Sequence, residues 1–391
     1  MASLFTINHK DENTSARSGV IRTDHGNITT PFFMPVGTYG AVKTQSSEEI
    51  SDLPSSILLC NTYHLYLRPG TDILQKAGGL HGFMHWDRAI LTDSGGFQIF
   101  SLEGYRKITD DGVTFRSHLD GSEHHFTPEK IVDIQRIIGS DFMMMLDVCP
   151  PGDADHQTWM DALNTTTNWA KRGMKHFRET EPIYGHQQAL IPVVQGGTDK
   201  ELRKRSAFEL CELDADAYAI GGLAVGEPKP EMLETVEWMD EFLPKEKPRY
   251  LMGVGTPSDL VRNVARGVDM FDCVMPTRNA RNGQLFTFDG KVNIRNAKYK
   301  TDFSAIDDNG ISPMSENYTK AYLHHLFKTE EILGYRIATQ HNLHFYIHLM
   351  KTMQDEIKAG NFKNWAKGFL ERYEGEYSLV LQLGELVCIF N

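Results

Sequence analysis

Short apolar runs that end at a polar residue or a glycine recur along this chain. Runs such as ILLC, AILT and MMML have the length and burial pattern of strands that are covered on both faces. Seven of these runs precede, in chain order, Asn61, Asp93, Asp147, Gln195, Gly222, Gly253 and Asp272. The chain therefore carries a series of buried strands, each followed by a residue able to bind a ligand.

Amphipathic stretches lie between these runs, for example KIVDIQRIIGS and DLVRNVARGV. Strands that alternate with helices indicate βαβ units and a parallel sheet. We predict an α/β protein with a (β/α)8 TIM barrel as a single catalytic domain over residues 1–391. In such a barrel all carboxyl ends of the strands meet at one face, so the seven residues would surround one pocket. An open Rossmann-like sheet is the alternative, but the first strand precedes no GxGxxG.

Residues 316–373 are predicted to be mainly helical, which would add a C-terminal helical subdomain. An apolar stripe at three- and four-residue steps runs from Leu343 to Ile357, and Gly360 is a plausible helix end. We expect the preceding apolar side chains to pack on this stripe; they are Leu323, Leu326, Phe327, Ile332 and Leu333. Residues 301–360 are predicted to form an inserted helical segment.

Composition narrows the class of protein. The five cysteines are scattered through 391 residues without a CxxC pair, which argues against a disulfide framework and a cysteine-rich zinc ribbon. No apolar run approaches the length of about 20 residues that spans a membrane. The first residues become charged too early for a secretory signal. We expect a cytoplasmic protein that does not interact with membranes.

The formal net charge of −12 does not favour nucleic-acid binding, but the charge is unevenly distributed. Residues 276–300 contain one acidic residue, Asp289, and six basic ones. The basic residues are Arg278, Arg281, Lys291, Arg295, Lys298 and Lys300. This stretch is a candidate phosphate-binding surface, and a solvated loop explains the composition equally well.

Two carboxylates stand out because each follows an apolar strand in a turn-rich context. Asp93 opens DSGGFQ, and Asp272 lies in FDCVMPTRNARNGQ. Paired carboxylates suit chemistry at a sugar C1′, where one attacks the carbon and the other transfers a proton. The structural alternative is a turn cap at Asp93 and an ion pair at Asp272. Asp147 and Gln195 could read the donors and acceptors of a guanine edge.

Six motifs carry a more specific signal when they are taken together and in order. They are NTYHLYLRPG, LTDSGGFQ, VVQGG, GGLAVGE, YLMGVGTP and FDCVMPTRNARNGQ. With them, the chain resembles the bacterial type of tRNA-guanine transglycosylase, also called queuine tRNA-ribosyltransferase. The resemblance extends from about residue 15 to the C-terminal helices.

This resemblance implies a glycosyltransferase (pentosyltransferase) of queuosine biosynthesis. It would exchange guanine at the tRNA wobble position for a prequeuosine-type 7-deazaguanine base. Asp272 would be the covalent nucleophile and Asp93 the general acid/base. The expected substrate-binding residues are Asp93, Ser94, Gly95, Gly96, Phe97, Asp147, Gln195, Gly222, Leu223 and Met252. The expected RNA-binding residues are Gly253, Val254, Gly255, Thr256, Pro257, Ser258, Asp259, Thr277, Arg278, Asn279, Ala280 and Arg281.

The chain departs from the family at its structural zinc site. Gly310, Ser312 and Ser315 stand where the family has three cysteines, whereas His341 stands at the position of the histidine ligand. Without thiolates we predict that no zinc, and no other cofactor, is bound. Tyr318, Tyr322 and His325 match an aromatic cluster at the family's homodimer interface, so we expect a homodimer.

Two alternative functions remain open. One is a non-catalytic tRNA-binding partner subunit, although such a subunit would not require both Asp93 and Asp272. The other is a related 7-deazaguanine transferase that acts on another tRNA position or on DNA.

Val225 and Cys149 match the bacterial pattern, and the bulk of Val225 predicts a preference for the aminomethyl-deazaguanine precursor over queuine.

Overall fold

Eight parallel strands form the centre of the molecule. The computed structural model describes residues 4–101, 105–307 and 311–375. In chain order the central strands are β1 (Phe32–Met34), β2 (Ile57–Cys60), β3 (Ala89–Thr92), β4 (Phe142–Met144), β5 (Ala189–Ile191 and Val193–Val194), β6 (Tyr218–Ile220), β7 (Arg249–Leu251) and β8 (Met270–Asp272). Pro192 divides β5 because proline has no N–H to donate to a neighbouring strand.

The pairing of these strands closes a barrel. The first half of β5 pairs with β4, and the order continues through β3 to β2. The second half of β5 pairs with β6, and the order continues through β7 and β8 to β1. A parallel bridge between Val36 and Leu59 joins the β1 segment to β2. The predicted (β/α)8 TIM barrel is therefore confirmed, and the open sheet is not formed.

The barrel interior is filled by large apolar side chains. Phe142, Met144, Tyr250 and Met270 are at most 1% exposed and belong to one cluster that spans the strands. Two further apolar clusters lie between the strands and the helices. Burial on both faces explains why the strands read as continuous apolar runs in the sequence.

Helices cover the outside of the barrel. They are α1 (Ser47–Ser51), α2 (Thr62–Leu67), α3 (Thr71–Lys76), α4 (Gly79–Met84), α5 (Gly96–Ser101), α6 (Pro128–Ile138), α7 (His156–Glu179), α8 (Lys200–Cys211), α9 (Lys229–Phe242), α10 (Pro257–Val264), α11 (Met275–Arg281), α12 (Pro313–Asn317), α13 (Lys320–Lys328), α14 (Ile332–Lys358) and α15 (Phe362–Glu374). The two amphipathic stretches noted in the sequence correspond to α6 and α10. Thr127 caps α6 by accepting a hydrogen bond from the Lys130 amide, 3.1 Å away.

Antiparallel strands lie outside the barrel. Phe5–Lys10, Arg17–Thr23 and Gly26–Thr30 form an N-terminal sheet, and Arg106–Ile108, Val113–Arg116 and Glu123–Phe126 form a second one. Gln284–Thr287 and Gly290–Asn293 form a hairpin, followed by a 3₁₀ helix at Ala297–Thr301. In the part of the chain described, no helix has the length and apolar character needed to cross a membrane.

The C-terminal helices follow the predicted pattern with one correction. Every residue of the stripe from Leu343 to Ile357 is buried on α14, and Gly360 follows the end of that helix with φ +69°. Leu323, Leu326 and Phe327 are also buried, but they pack against Ile337 and Ala338 rather than on the stripe. The expectation for Ile332 was wrong. It is the first residue of α14 and is 77% exposed, whereas the next residue, Leu333, is partly buried against the same cluster because successive helical residues point in different directions.

Candidate active site

A cavity of about 400 Å³ opens where the carboxyl ends of the barrel strands converge. Six of the seven residues that follow the apolar runs line it, namely Asn61, Asp93, Asp147, Gly222, Gly253 and Asp272. The seventh, Gln195, is 1% exposed and lies behind the wall. The prediction that these residues surround one pocket is thus confirmed for all but Gln195.

Asp93 is held by a dense set of donors. The Thr62 amide donates to Oδ1 at 2.9 Å, and the Gly95 amide donates to the same oxygen at 3.2 Å. Gln98 Nε2 donates to Oδ2 at 2.8 Å, and Asn61 Nδ2 donates to the same oxygen. Burial raises the pKa of Asp93 to about 6, although these hydrogen bonds act in the opposite direction. The carboxyl is therefore oriented and can exchange a proton near neutral pH.

Asp272 is anchored through one oxygen. Oδ1 accepts a hydrogen bond from the Tyr250 hydroxyl at 2.6 Å and from the Gly253 amide at 2.8 Å. No donor among the described residues contacts Oδ2, and Asp272 lines the cavity. Burial raises the pKa of Asp272, whereas the two hydrogen bonds oppose this effect. One oxygen fixes the orientation of the carboxylate and the other is available to a ligand.

Asp147 and Gln195 form a pair at the base of the cavity. Gln195 Nε2 donates to Asp147 Oδ2 at 2.8 Å, and Ser94 Oγ lies 3.4 Å from Oδ1. Burial raises the pKa of Asp147 to about 6, with a further contribution from the negative charge of Asp93. Gln195 supports the Asp147 carboxylate from behind, and its own Oε1 is buried without a partner among the described residues.

The other predicted substrate-binding residues fall into two groups. Those that line the cavity are Ser94, Gly95, Phe97, Leu223 and Met252, together with the carboxylates and Gly222. Gly96 does not line it. A Cβ on Gly96 would come within 2.9 Å of the Asp147 backbone oxygen, so this glycine permits close packing behind the cavity rather than contact with a ligand.

Sequence reasoning assigned no role to three residues that shape the cavity. Asn61 was identified as a strand end but not as a partner of Asp93. From the sequence, Tyr250 was interpreted only as an apolar residue of a strand, yet its hydroxyl contacts Asp272. Glu227 Oε2 accepts from the Val225 amide at 3.0 Å and so holds the loop that lines one side. The contacts of Asn61 and Tyr250 join positions that no local pattern relates, whereas that of Glu227 is made within one loop.

The predicted RNA-binding residues are mostly buried. In the 253–259 segment, Gly253 is exposed and Thr256 partly exposed, whereas the remaining five are buried. In the 277–281 segment, Thr277 and Ala280 are buried. The positions accessible to a ligand there are Arg278, Asn279 and Arg281. The two segments therefore offer five accessible positions for contact with a large substrate.

The basic stretch forms a surface without acidic partners. None of its six basic side chains makes a salt bridge within the part of the chain described. Arg278, Lys291, Lys298 and Lys300 are exposed. By contrast, Arg262 pairs with Glu374 at 2.7 Å, as expected of a structural arginine. Cationic side chains without acidic partners favour the phosphate-binding interpretation over the solvated loop.

The residues at the family's zinc position do not fit a zinc ion. Ser315 Oγ lies 2.5 Å from His341 Nδ1, and His341 Nε2 donates to the Phe286 carbonyl oxygen at 2.8 Å. Both ring nitrogens of this buried histidine are thus used in hydrogen bonds. Ser312 caps α12 through its side chain, and Gly310 lies outside the described residues. Serine hydroxyls replace thiolates here, and they are poor zinc ligands.

Comparison with known proteins agrees with this geometry. The family model described as queuine tRNA-ribosyltransferase matches residues 11–375. A queuine tRNA-ribosyltransferase of Caldanaerobacter subterraneus subsp. tengcongensis is 52% identical over 376 residues, which cover 96% of this chain and 99% of the relative. The protein of the same name from Thermoanaerobacter pseudethanolicus is 53% identical over 374 residues, covering 95% and 98%. From its fold, its site and these matches, we conclude that the chain belongs to the queuine tRNA-ribosyltransferase family.

Proposed function

We propose that this tRNA-guanine transglycosylase replaces the wobble guanine of tRNA with a 7-deazaguanine base by two successive displacements at C1′. The observation that carries the proposal is the convergence of Asp93 and Asp272 on one cavity, each anchored by donors from a neighbouring strand end. A target base must leave the RNA stack to reach such a recessed site.

Base recognition would depend on the floor of the cavity. The Asp147 carboxylate can accept hydrogen bonds from the ring N–H and amino group of guanine. Gln195 holds that carboxylate in place, and the Gly222 backbone borders the same space. Because guanine and 7-deazaguanines share this edge, one pocket can bind the departing and the incoming base in turn.

In the first displacement, Asp272 Oδ2 attacks C1′ while the bond from C1′ to N9 breaks. The bonding electrons leave with guanine, which takes a proton from the Asp93 carboxyl. The ribosyl group is then esterified to Asp272. In the second displacement, Asp93 removes the N9 proton of the incoming base, whose N9 attacks C1′ and releases the Asp272 carboxylate. Each group is regenerated at the end of the cycle.

The tRNA backbone would lie on the basic surface around Arg278, Lys291 and Lys298. The positive charge of this surface compensates locally for the overall acidity of the chain, and tRNA binding would weaken with salt. We also propose a homodimer, because the stacked rings of Tyr318 and Tyr322 and the neighbouring His325 give an exposed aromatic patch. A tRNA substrate makes the cytoplasm the expected compartment.

The incoming base is expected to be the aminomethyl precursor rather than queuine. Val225 and Cys149 line both the active-site cavity and a neighbouring cavity of about 580 Å³. Both side chains therefore lie on the boundary between the two spaces. A small aminomethyl group would fit on the near side, whereas a cyclopentenediol would meet the branched Val225 side chain.

The decisive experiment replaces the nucleophile. Asp272→Asn keeps the shape of the side chain but removes its charge, so we expect loss of guanine exchange and of any covalent RNA–protein species on denaturing gels, while tRNA binding persists. Asp355→Asn on α14 serves as the matched control, since that carboxylate is 59% exposed and outside the cavity. Near-normal exchange by Asp272→Asn would refute the assignment of Asp272 as the nucleophile. The same assay separates this mechanism from a non-catalytic subunit, because such a subunit would exchange no guanine even as the wild type.

A further inference from the structure

Three histidines lie together at the end of the barrel opposite the active-site cavity. His25 occupies the turn between strands Arg17–Thr23 and Gly26–Thr30, His81 lies on α4, and His186 precedes β5. One ring nitrogen of each lies within 4.8 Å of a ring nitrogen of the other two. Within the described ranges, no other set of three histidine, cysteine, aspartate or glutamate residues brings its ligand atoms this close together.

Hydrogen bonds define the tautomer of each ring. Each histidine places one ring nitrogen against an oxygen atom, and an oxygen acceptor requires that nitrogen to carry the proton. The pairs are His25 Nδ1 with Asp141 Oδ1 at 2.7 Å, His81 Nε2 with the Arg88 carbonyl oxygen at 3.0 Å, and His186 Nε2 with the Gly139 carbonyl oxygen at 2.9 Å. In a neutral ring the other nitrogen is then a lone-pair donor. Metal-binding histidines have this arrangement, with the second nitrogen fixed by a carboxylate or a backbone carbonyl.

The local charge also favours a cation. Asp141 is 2% exposed, and it accepts a hydrogen bond from the Ile90 amide at 2.8 Å. It also faces His25 Nδ1 at 2.7 Å and His81 Nε2 at 3.4 Å, so the carboxylate is directed at the histidine group. No lysine or arginine among the described residues pairs with it. A cation held by the neutral histidines would therefore supply the positive charge that this carboxylate lacks in that part of the chain.

Binding would require a small rearrangement. The rings of His25 and His81 are stacked, with centroids 3.9 Å apart and planes at 14°. Lone pairs in two parallel ring planes do not point to a common centre. His186 is nearly perpendicular to His25, at 70° and 4.7 Å. His25 lies in a hairpin turn whereas His81 belongs to a helix, so His25 is the ring that would tilt, about its hydrogen bond to Asp141.

Contrary to the expectation from the sequence that no metal is bound, we propose that His25, His81 and His186 bind one divalent first-row transition-metal ion, with Zn²⁺ as the natural occupant. Neutral imidazoles suit Zn²⁺, Co²⁺ and Ni²⁺, whereas Mg²⁺ and Ca²⁺ require oxygen ligands. Three imidazoles leave a fourth tetrahedral position for water. The ion joins the N-terminal hairpin to α4 and to the segment before β5. Its position far from Asp272 gives it a structural role, unconnected with base exchange.

Co²⁺ titration of the metal-stripped full-length protein tests the site, since tetrahedral Co²⁺ absorbs strongly in the visible range. We expect one equivalent to bind and Zn²⁺ to displace it. His25→Gln changes a turn residue and His186→Gln a residue before a strand; each should weaken Zn²⁺ binding at least tenfold and abolish the zinc-dependent rise in melting temperature. His156→Gln is the control, because that ring is 60% exposed and outside the cluster.

Two results would overturn the proposal. One is failure of the wild-type protein to bind an equivalent of Co²⁺ or Zn²⁺. The other is an unchanged Zn²⁺ affinity in both cluster variants, which would place any bound ion elsewhere. Circular dichroism of the stripped variants verifies that they are folded, and guanine exchange should be the same in all of these proteins.

Discussion

Removing the Tyr250 hydroxyl would test how the charge of Asp272 is maintained. Asp272 has to be ionised to attack C1′, but burial raises its pKa and so favours the neutral acid. The Tyr250 hydroxyl, 2.6 Å from Oδ1, is one of two donors that oppose this effect. Tyr250→Phe therefore leaves the Gly253 amide as the remaining donor, and the pKa of Asp272 is expected to rise further.

The size of this rise follows from hydrogen-bond energetics. A hydrogen bond to a charged group contributes about 1.5–3 kcal/mol, whereas one to a neutral group contributes about 1 kcal/mol. The difference, roughly 0.5–2 kcal/mol, corresponds to about one pKa unit. The acidic limb of the pH–rate profile should move upward by about one unit. Well below that limb the rate should be about tenfold lower than in the wild type, with a smaller change at higher pH.

Single-turnover release of labelled guanine from tRNA, measured without an incoming base, isolates the step in which Asp272 acts. Tyr218→Phe is the matched control: this tyrosine is equally buried in β6, but its hydroxyl contacts the Ala215 amide at the other end of the barrel. An acidic limb that stays at the wild-type pH in Tyr250→Phe, with both variants folded, would refute the idea that this hydroxyl sets the ionisation of Asp272.

Three further predictions concern specificity, RNA binding and metal content. Val225→Gly should connect the two cavities and raise kcat/KM for queuine relative to the aminomethyl precursor at least tenfold; an unchanged ratio would contradict steric exclusion. Arg278→Gln should reduce the slope of log binding constant against log salt by about 0.7–0.9, whereas Lys175→Gln on α7, away from the basic surface, should not. No zinc should bind in the 301–360 segment. In His186→Gln, elemental analysis should therefore find no stoichiometric zinc and EDTA should leave exchange unchanged; activity lost on chelation would disprove this.

Local patterns in the sequence determined much of the architecture. Apolar runs of strand length alternate with amphipathic stretches, and this order is sufficient to predict the barrel, because each element must bury its apolar face against its neighbours. The same periodicity identified the buried stripe on α14. It also placed Asp93 and Asp272 at strand ends, and parallel strands bring such ends together. The motifs then related these residues to one family.

Other features arise only when the barrel closes. Gln195 follows a strand as Asp93 does, but packing places it behind the wall, where it supports Asp147. Val254 and Asp259 belong to an expected RNA-binding segment, yet the docking of α10 buries them. The local sequence specifies which face of an element is apolar, but how deeply each side chain is buried depends on the elements that cover it.

The partners of the key polar groups are likewise a product of tertiary structure. The sequence indicates only that Tyr250 lies in a strand. Its contact with Asp272 exists because β7 and β8 are neighbours in the barrel. His25, His81 and His186 are more than fifty residues apart in sequence and share no motif. They meet because a hairpin turn, a helix and the segment before a strand lie at the same end of the barrel. Sequence periodicity reports local conformation, whereas the chemistry of these sites depends on distances between segments that only the closed barrel defines.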